Sequence, residues 1–380
     1  MFRGKARYLE RLTPKFYAKQ EFGEHIEGAS PPSIFVGRFG YPKVFLGPLL
    51  PPIHGDTAAM DTPEAWLQNA SSVADVISFR MQLVRGMHVA EITDVQDSFV
   101  EQMREVALAK NSVEMQASFT KKPRGTFFNE EMQPFGPSAP IKEVDFTNAK
   151  MDVQLGKMHY DTDLKAADAV TNLYEKGLMI STIQKAFSTG AFGTAKRRRL
   201  VPTRWSITAV DDTIGKRLIA EIKQNSVLDA FQLYEFYGFK NYFAILLTPA
   251  TWQYEFLEAF LGIFGNEQML FSDYEKHEGR KNYAQIGGCY YACRLAVAEK
   301  LQQMQRQAGA IVFRESYSGY VPTGVWLVRE SARRALESRP KEFADVQSAL
   351  NYLENRLQLP MWRYRKESRL MKQILVKTYR

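Results

Sequence analysis

The 380-residue chain predicts an α+β fold: a mixed sheet with surrounding helices in one large domain, plus a basic C-terminal helical tail. Three observations lead there. β-like runs and helical patterns interleave irregularly, without the steady strand–helix alternation of a doubly wound parallel sheet. The apolar fraction is 45%, with 13% aromatic residues, which is enough for a sizeable core. The charge is uneven: residues 356–380 hold eight Lys/Arg and one Glu, so of the total +8 only about +1 belongs to the rest of the chain. The division expected is therefore an N-terminal arm over 1–30, a single core domain over 31–355 and the tail over 356–380.

The elements follow in order. Ile34–Val36 and Lys43–Leu46 flank Gly40-Tyr41-Pro42, and turn residues between β-formers argue for a hairpin. A helix is expected over about 97–109, with Phe99, Met103 and Val106 on one stripe. "VEMQASFTKKPRG" reads as a strand leaving into a loop, and 121–142 is rich in Pro, Gly and polar residues. Residues 160–187 read as helix broken at Gly177. "WSITAV" (205–210) alternates like a strand, "NYFAILLTP" and "AGAIVFRES" read as buried strands, and 289–307 and 341–358 carry helical stripes. No fixed-period repeat occurs.

Several classes drop out. No apolar run approaches the roughly 18 residues of a membrane span, and "MFRGKARYLERL" has no apolar h-region. An intracellular, cytoplasmic protein without membrane contact is expected. Cys289 and Cys293 lie four apart in a helical pattern, a spacing that suits two core residues and fits a disulfide badly. No further ligand set accompanies them, so neither a metal nor a cofactor is expected. The phosphate-loop and zinc-protease templates are absent.

Three segments combine cations, carboxylates and aromatics. "KRRRLVPTRWSITAVDD" offers Arg197, Arg198, Arg199 and Arg204 for phosphate contact, Trp205 for stacking, and Asp211 and Asp212 as carboxylates. "FSDYEKHEGRKNYAQIGG" offers Arg280 before a Gly-Gly turn into a helix. "IVFRESYSGYVPTGVWLVRES" carries Arg-Glu-Ser twice and offers Arg314, Arg329, Glu315, Glu330 and Trp326. Guanidinium groups bind phosphate oxygens in pairs. Each Arg equally suits an ion pair with a neighbouring carboxylate.

"SPPSIFVGRFGYPKVFLGPLLPP", "FGPSAP", "KRRRLVPTRWSITAVDDTIGK", "GGCYYACRLAV" and "PTGVWLVRESARRAL" resemble the signature blocks of the archaeal Nre DNA repair family, in order from about residue 28 to 336. The resemblance implies a role in DNA damage repair, with a C-terminal motif that binds the sliding clamp in many members. It also removes a nuclear address for the Lys196–Arg199 run. Many members carry an N-terminal cysteine-rich zinc module, whereas this chain has no cysteine before Cys289. The clamp motif is matched by Gln373, Val376 and Tyr379, with Arg380 in place of its second aromatic. Two readings stay open: a repair protein that binds DNA or nucleotide together with the clamp, and a nucleotide-processing enzyme that cleaves an N-glycosidic bond or a phosphodiester. The second needs Arg197, Arg314, Trp326, Glu315 and Glu330 to converge, with Asp211 and Asp212 as further catalytic candidates.

Overall fold

The computed structural model describes residues 21–69, 72–126, 132–147, 149–264 and 267–378. These form two compact units divided between Ile214 and Gly215. Neither composition nor charge marks the junction between them, because it falls inside the helix Thr203–Ile222.

The first unit runs β1 (His25–Ser30), β2 (Ile34–Val36), β3 (Lys43–Leu50), α1 (Pro63–Asn69), α2 (Val73–Met81), β4 (Val84–Glu91), α3 (Ser98–Ala107), β5 (Val113–Phe119), β6 (Ser138–Phe146), α4 (Val153–Tyr160), α5 (Ala166–Glu175), α6 (Ile180–Ser188) and the start of α7 (Thr203–Ile222). Its sheet has the order β1-β5-β6-β4-β3-β2. β4 and β6 are parallel and the other pairs antiparallel. Strand β5 buries Val113, Met115, Ala117 and Phe119 at period two, as a strand with one covered face must. Helix α3 buries Val100, Met103, Val106 and Ala107 against the same core, and Asp97 starts it by accepting the Phe99 and Val100 N–H groups at 3.0 and 3.1 Å. The expected loop over 121–142 ends early, since β6 begins at Ser138.

"WSITAV" is helix, not strand. It lies in α7, where Ile207, Val210, Ile214, Leu218 and Ile222 are buried. That spacing is helical, and a six-residue window is too short to separate it from alternation.

The second unit continues with β7 (Phe231–Gly238), β8 (Asn241–Thr248), β9 (Gln253–Phe264), β10 (Glu267–Glu275), α8 (Gly288–Met304), β11 (Gly309–Ser316), α9 (Trp326–Glu337), β12 (Lys341–Phe343), α10 (Val346–Glu354), α11 (Met361–Glu367) and α12 (Arg369–Thr378). The sheet order is β10-β9-β11-β8-β7-β12, with β11 parallel to β9 and antiparallel to β8. One face packs Leu246, Leu257, Ile311 and Phe313 on α10, α11 and α12. On the other face Tyr254 meets Tyr290 of α8 edge to face, with ring centroids 5.0 Å apart.

The basic tail is part of this core rather than an appendage. Leu357, Leu359, Met361, Tyr364, Leu370 and Met371 are buried among the sheet residues. Its charges lie on the outer side, where Lys366, Arg369 and Lys372 are exposed. A charge count registers only that outer stripe of an amphipathic helix. Among the described residues no helix is long and apolar enough to cross a membrane.

Candidate nucleic-acid interface

The run Lys196–Arg199 is held by its backbone. Gly190, at φ +70, ends α6, and a Cβ there would lie 2.8 Å from the Arg199 carbonyl oxygen. The Val201 N–H donates to the Ser188 carbonyl at 2.9 Å, and the Ser188 hydroxyl returns a bond to the Val201 carbonyl at 2.6 Å. The Leu200 N–H donates to Ile92 at 2.8 Å, and the Ile92 N–H donates to Pro42 at 3.1 Å. The cation run therefore passes beside the turn between β2 and β3.

A 3-10 turn over Ala195–Arg197 and extended backbone at Arg198 sort the side chains. Leu200 is buried in the core, whereas Arg197 and Arg199 are exposed. Arg198 turns inward and donates to the carbonyl oxygens of Gly193 at 2.8 Å, His159 at 2.6 Å and Asp161 at 3.1 Å. Burial lowers the Arg198 pKa. Burial also holds the His159 imidazole below its ordinary range; its bond to the Ala191 carbonyl opposes this, and the charges of Arg198 and Arg104 add to it.

Beyond Leu200 the chain enters α7. Thr203 accepts the Val36 N–H at 2.9 Å, which fixes the helix start on β2. Trp205 then lies against Tyr41 at the hairpin tip, with centroids 5.0 Å apart and planes tilted by 59°. Trp205 is 43% exposed, Tyr41 48% and Phe39 63%. Arg38 covers the Phe39 ring at 4.9 Å, and Gly40, at φ +87, makes the turn that presents them. The result is a surface of open aromatic rings beside Arg38, Lys43, Arg197 and Arg199. Such a surface offers π-faces to unstacked bases and charge to the backbone between them. Phe39, Tyr41 and Arg38 were not among the sequence candidates, although "GRFGYPK" carries the signal: two aromatics and two cations around a Gly-Pro turn cannot all be buried.

Most of the other candidates are buried or paired with protein groups. Arg314 is 0% exposed; it pairs with Glu258 and donates to the Asn241 side-chain oxygen at 3.0 and 2.8 Å. No phosphate reaches it. Glu315, its neighbour on β11, faces the opposite side of the sheet and accepts the Gln358 and Leu359 N–H groups at 2.8 Å and the Tyr364 hydroxyl at 3.0 Å. Arg329 is buried and bonds Glu330 at 3.2 Å; Glu330 also receives Arg333 at 3.1 Å. Trp326 is 1% exposed, with its indole N–H on the Thr323 carbonyl at 2.7 Å, so no base can stack on it. Arg280 pairs with Asp273 at 2.8 Å and covers the Tyr290 ring. Asp211 is buried and accepts from Gln184 at 3.0 Å, while Asp212 is half-buried. Adjacent helical residues diverge by about 100°, so the two carboxylates do not act as a pair. Among the described residues no three His, Cys, Asp or Glu side chains come together as metal ligands. Within the second unit Arg314 and Glu315 point to opposite sheet faces, so these two groups of the enzymatic reading do not converge.

Gln373 and Val376 are exposed on α12, with the Gln373 amide 3.4 Å from the Tyr274 hydroxyl. Tyr379 lies outside the described residues.

Comparison with known proteins agrees along nearly the whole chain. The model described as "Archaeal Nre, N-terminal" matches residues 6–263, and "Archaeal Nre, C-terminal" matches 275–379. The chain is 41% identical to "DNA repair protein NreB" of Archaeoglobus fulgidus over 95% of its length and 93% of that protein. It is 35% identical to "DNA repair protein NreA" of the same organism, over 95% and 92%. It is 38% identical to "DNA repair protein NreA" of Haloferax volcanii, over 90% and 84%. No solved structure matches it. With both halves matched in order and relatives aligned nearly end to end, the chain belongs to the archaeal Nre family.

Proposed function

We propose that this protein acts in DNA repair and holds unpaired nucleotides on the face formed by Phe39, Tyr41 and Trp205, with Arg197 and Arg199 meeting the phosphates. The names of its relatives support the repair role. One observation carries the binding mode: Tyr41 and Trp205 come from segments 164 positions apart in sequence, yet they form an aromatic pair with about half of each ring in solvent. Exposed rings that touch one another, rimmed by charge, mark an interaction surface where single exposed rings do not. Stacking on one base contributes about 1–3 kcal/mol. The Trp205→Ala, Tyr41→Ala double variant should therefore bind a fluorescent single-stranded oligonucleotide at least about tenfold more weakly, with an unchanged melting temperature. Equal affinity in anisotropy titrations would remove the proposal.

The sliding clamp is proposed as partner of the α12 surface. Support comes from Gln373 and Val376, which stand on the outer side of a helix whose inner residues Leu370 and Met371 are buried. Gln373→Ala with Val376→Ala should abolish clamp binding while oligonucleotide affinity stays. A clamp titration that shows unaltered affinity would assign this surface elsewhere.

A further inference from the structure

The first unit contains a cavity of about 250 Å3 away from the aromatic face. Its apolar walls include Pro31, Pro32, Leu178 and Met179; its polar lining includes Lys110 and Lys185. We propose that it binds a small phosphomonoester with a flat ring, of mononucleotide size.

Charge argues for the anion. Lys185 also lines a second, smaller cavity of about 30 Å3, so the residue belongs to the lining of both. Its Nζ lies 3.6 Å from the Asp61 carboxylate, 3.3 Å from the Asp61 carbonyl oxygen and 3.4 Å from the Ser33 hydroxyl. Asp61 is shared, however: it pairs more closely with the buried Arg80. One carboxylate thus serves two cations, which leaves a net positive charge where solvent is scarce. Lys110 adds a second cation on the lining. Asp152, the carboxylate on the same lining, accepts the Gln154 and Leu155 N–H groups through Oδ1 at 2.8 and 3.1 Å at the start of α4; it offsets one of the two lysines and leaves the lining positive. Two lysines act as point charges, a pattern that suits phosphate.

Shape argues for the rest of the ligand. Prolines, Ala58, Ala107 and Ala109 give low, rigid walls that accept a planar ring. The volume lies just under the roughly 300 Å3 at which pockets begin to take drug-sized molecules. A sugar phosphate with one base fits this scale, and a dinucleotide does not. The Thr62 hydroxyl is turned to the Ala58 carbonyl at 2.7 Å, which leaves Thr182 as the neutral polar side chain free to meet a ring or sugar.

The experiment is calorimetric titration of the full chain with deoxyadenosine monophosphate, deoxyadenosine and inorganic phosphate. Saturable binding of the monophosphate, with weaker binding of the nucleoside and competition by phosphate, is expected. Lys185→Gln should weaken it about tenfold or more, since a charge-assisted contact is lost. This variant keeps the Asp61–Arg80 pair; should it melt early, two others carry the test. Lys110→Gln changes an exposed side chain and should weaken binding several-fold, and Thr182→Met should block the cavity with the melting temperature retained. No saturable binding of the monophosphate by the wild type would overturn the proposal. So would affinity that none of these variants alters. Nucleoside binding as tight as the monophosphate would also overturn it, because the lysines would then be idle. Oligonucleotide affinity of the Lys185 variant, read in parallel, separates this site from the aromatic face.

Discussion

The Oε1 atom of Glu315 accepts the backbone N–H of Leu359 at 2.8 Å, across 44 positions of chain. The same carboxylate takes the Tyr364 hydroxyl and the Gln358 N–H. Glu255, also buried and also facing α10–α12, repeats the device. It accepts the Arg369 N–H at 2.7 Å, the Leu370 N–H at 3.0 Å and the Ser368 hydroxyl. Two carboxylates of the sheet thus fix the starts of the last two helices.

Deleting residues 361–380 should consequently unfold the second unit. Burial of Met361, Leu370 and Met371 contributes about 1.5–3 kcal/mol each; Glu255 would lose its Ser368, Arg369 and Leu370 donors, and Glu315 would lose the Tyr364 hydroxyl. The sum rivals the roughly 5–15 kcal/mol that holds a domain together. Circular dichroism on the truncated chain checks it: a melting curve like the full chain's would show that the tail is dispensable after all.

Arg314→Ala should cost about 3–5 kcal/mol of stability, because Glu258 would remain as a buried charge without its partner. Oligonucleotide affinity of the folded protein should not change. A stable variant with weakened binding would return Arg314 to the list of phosphate contacts.

Replacing Arg197 and Arg199 with Gln should lower the salt dependence of single-strand binding. Each lost phosphate contact removes about 0.7 from the slope of log affinity against log salt. Titrations at several salt concentrations read this slope directly.

Cys293 should resist thiol reagents in the native protein. Burial pushes its thiol up to about 12, so almost no thiolate exists at neutral pH. Its contribution to stability is complete below the ordinary thiol range and is lost as pH rises toward about 12. Modification followed by peptide mass mapping should label it only after unfolding.

His159 should show the opposite sign. Its pKa is lowered on folding, chiefly by burial, so the unfolded chain binds the proton more readily. The stability it contributes is present above its ordinary value of about 6.5 and is lost as pH falls through the folded value. Proton NMR should find it titrating below a free histidine, and Arg198→Gln should move it upward by removing a like charge.

Helix α3, β5 and α8 were legible in the sequence through periodicity, the hairpin at 34–46 through its turn residues, and β11 through an unbroken apolar run. "WSITAV" was not, since its helical stripe becomes visible only when Ile214, Leu218 and Ile222 are counted. The buried carboxylates were hidden for another reason. Glu255 and Glu258 sit inside "QYEFLEAFLGIF", where a strand pattern assigns alternate residues to solvent, but helices cover both faces of this sheet. The two Arg-Glu-Ser triplets look alike in sequence and differ in space, because one lies on a strand and the other on a helix. The cations at 196–199 were recognised as a group; that Arg198 turns inward depends on Gly193, His159 and Asp161, which sequence does not place.

The strand order of the second sheet also bears on inheritance. Strand β11, from the segment matched as the C-terminal Nre region, is inserted between β8 and β9, which lie in the N-terminal region apart from the last residue of β9. Neither region alone completes this second sheet: the first would lack its middle strand, and the second would hold β11 and β12 without their neighbours. A gene broken near codon 265 would encode two fragments that must find each other to complete the second unit, so the two regions can travel through recombination only as a linked cassette.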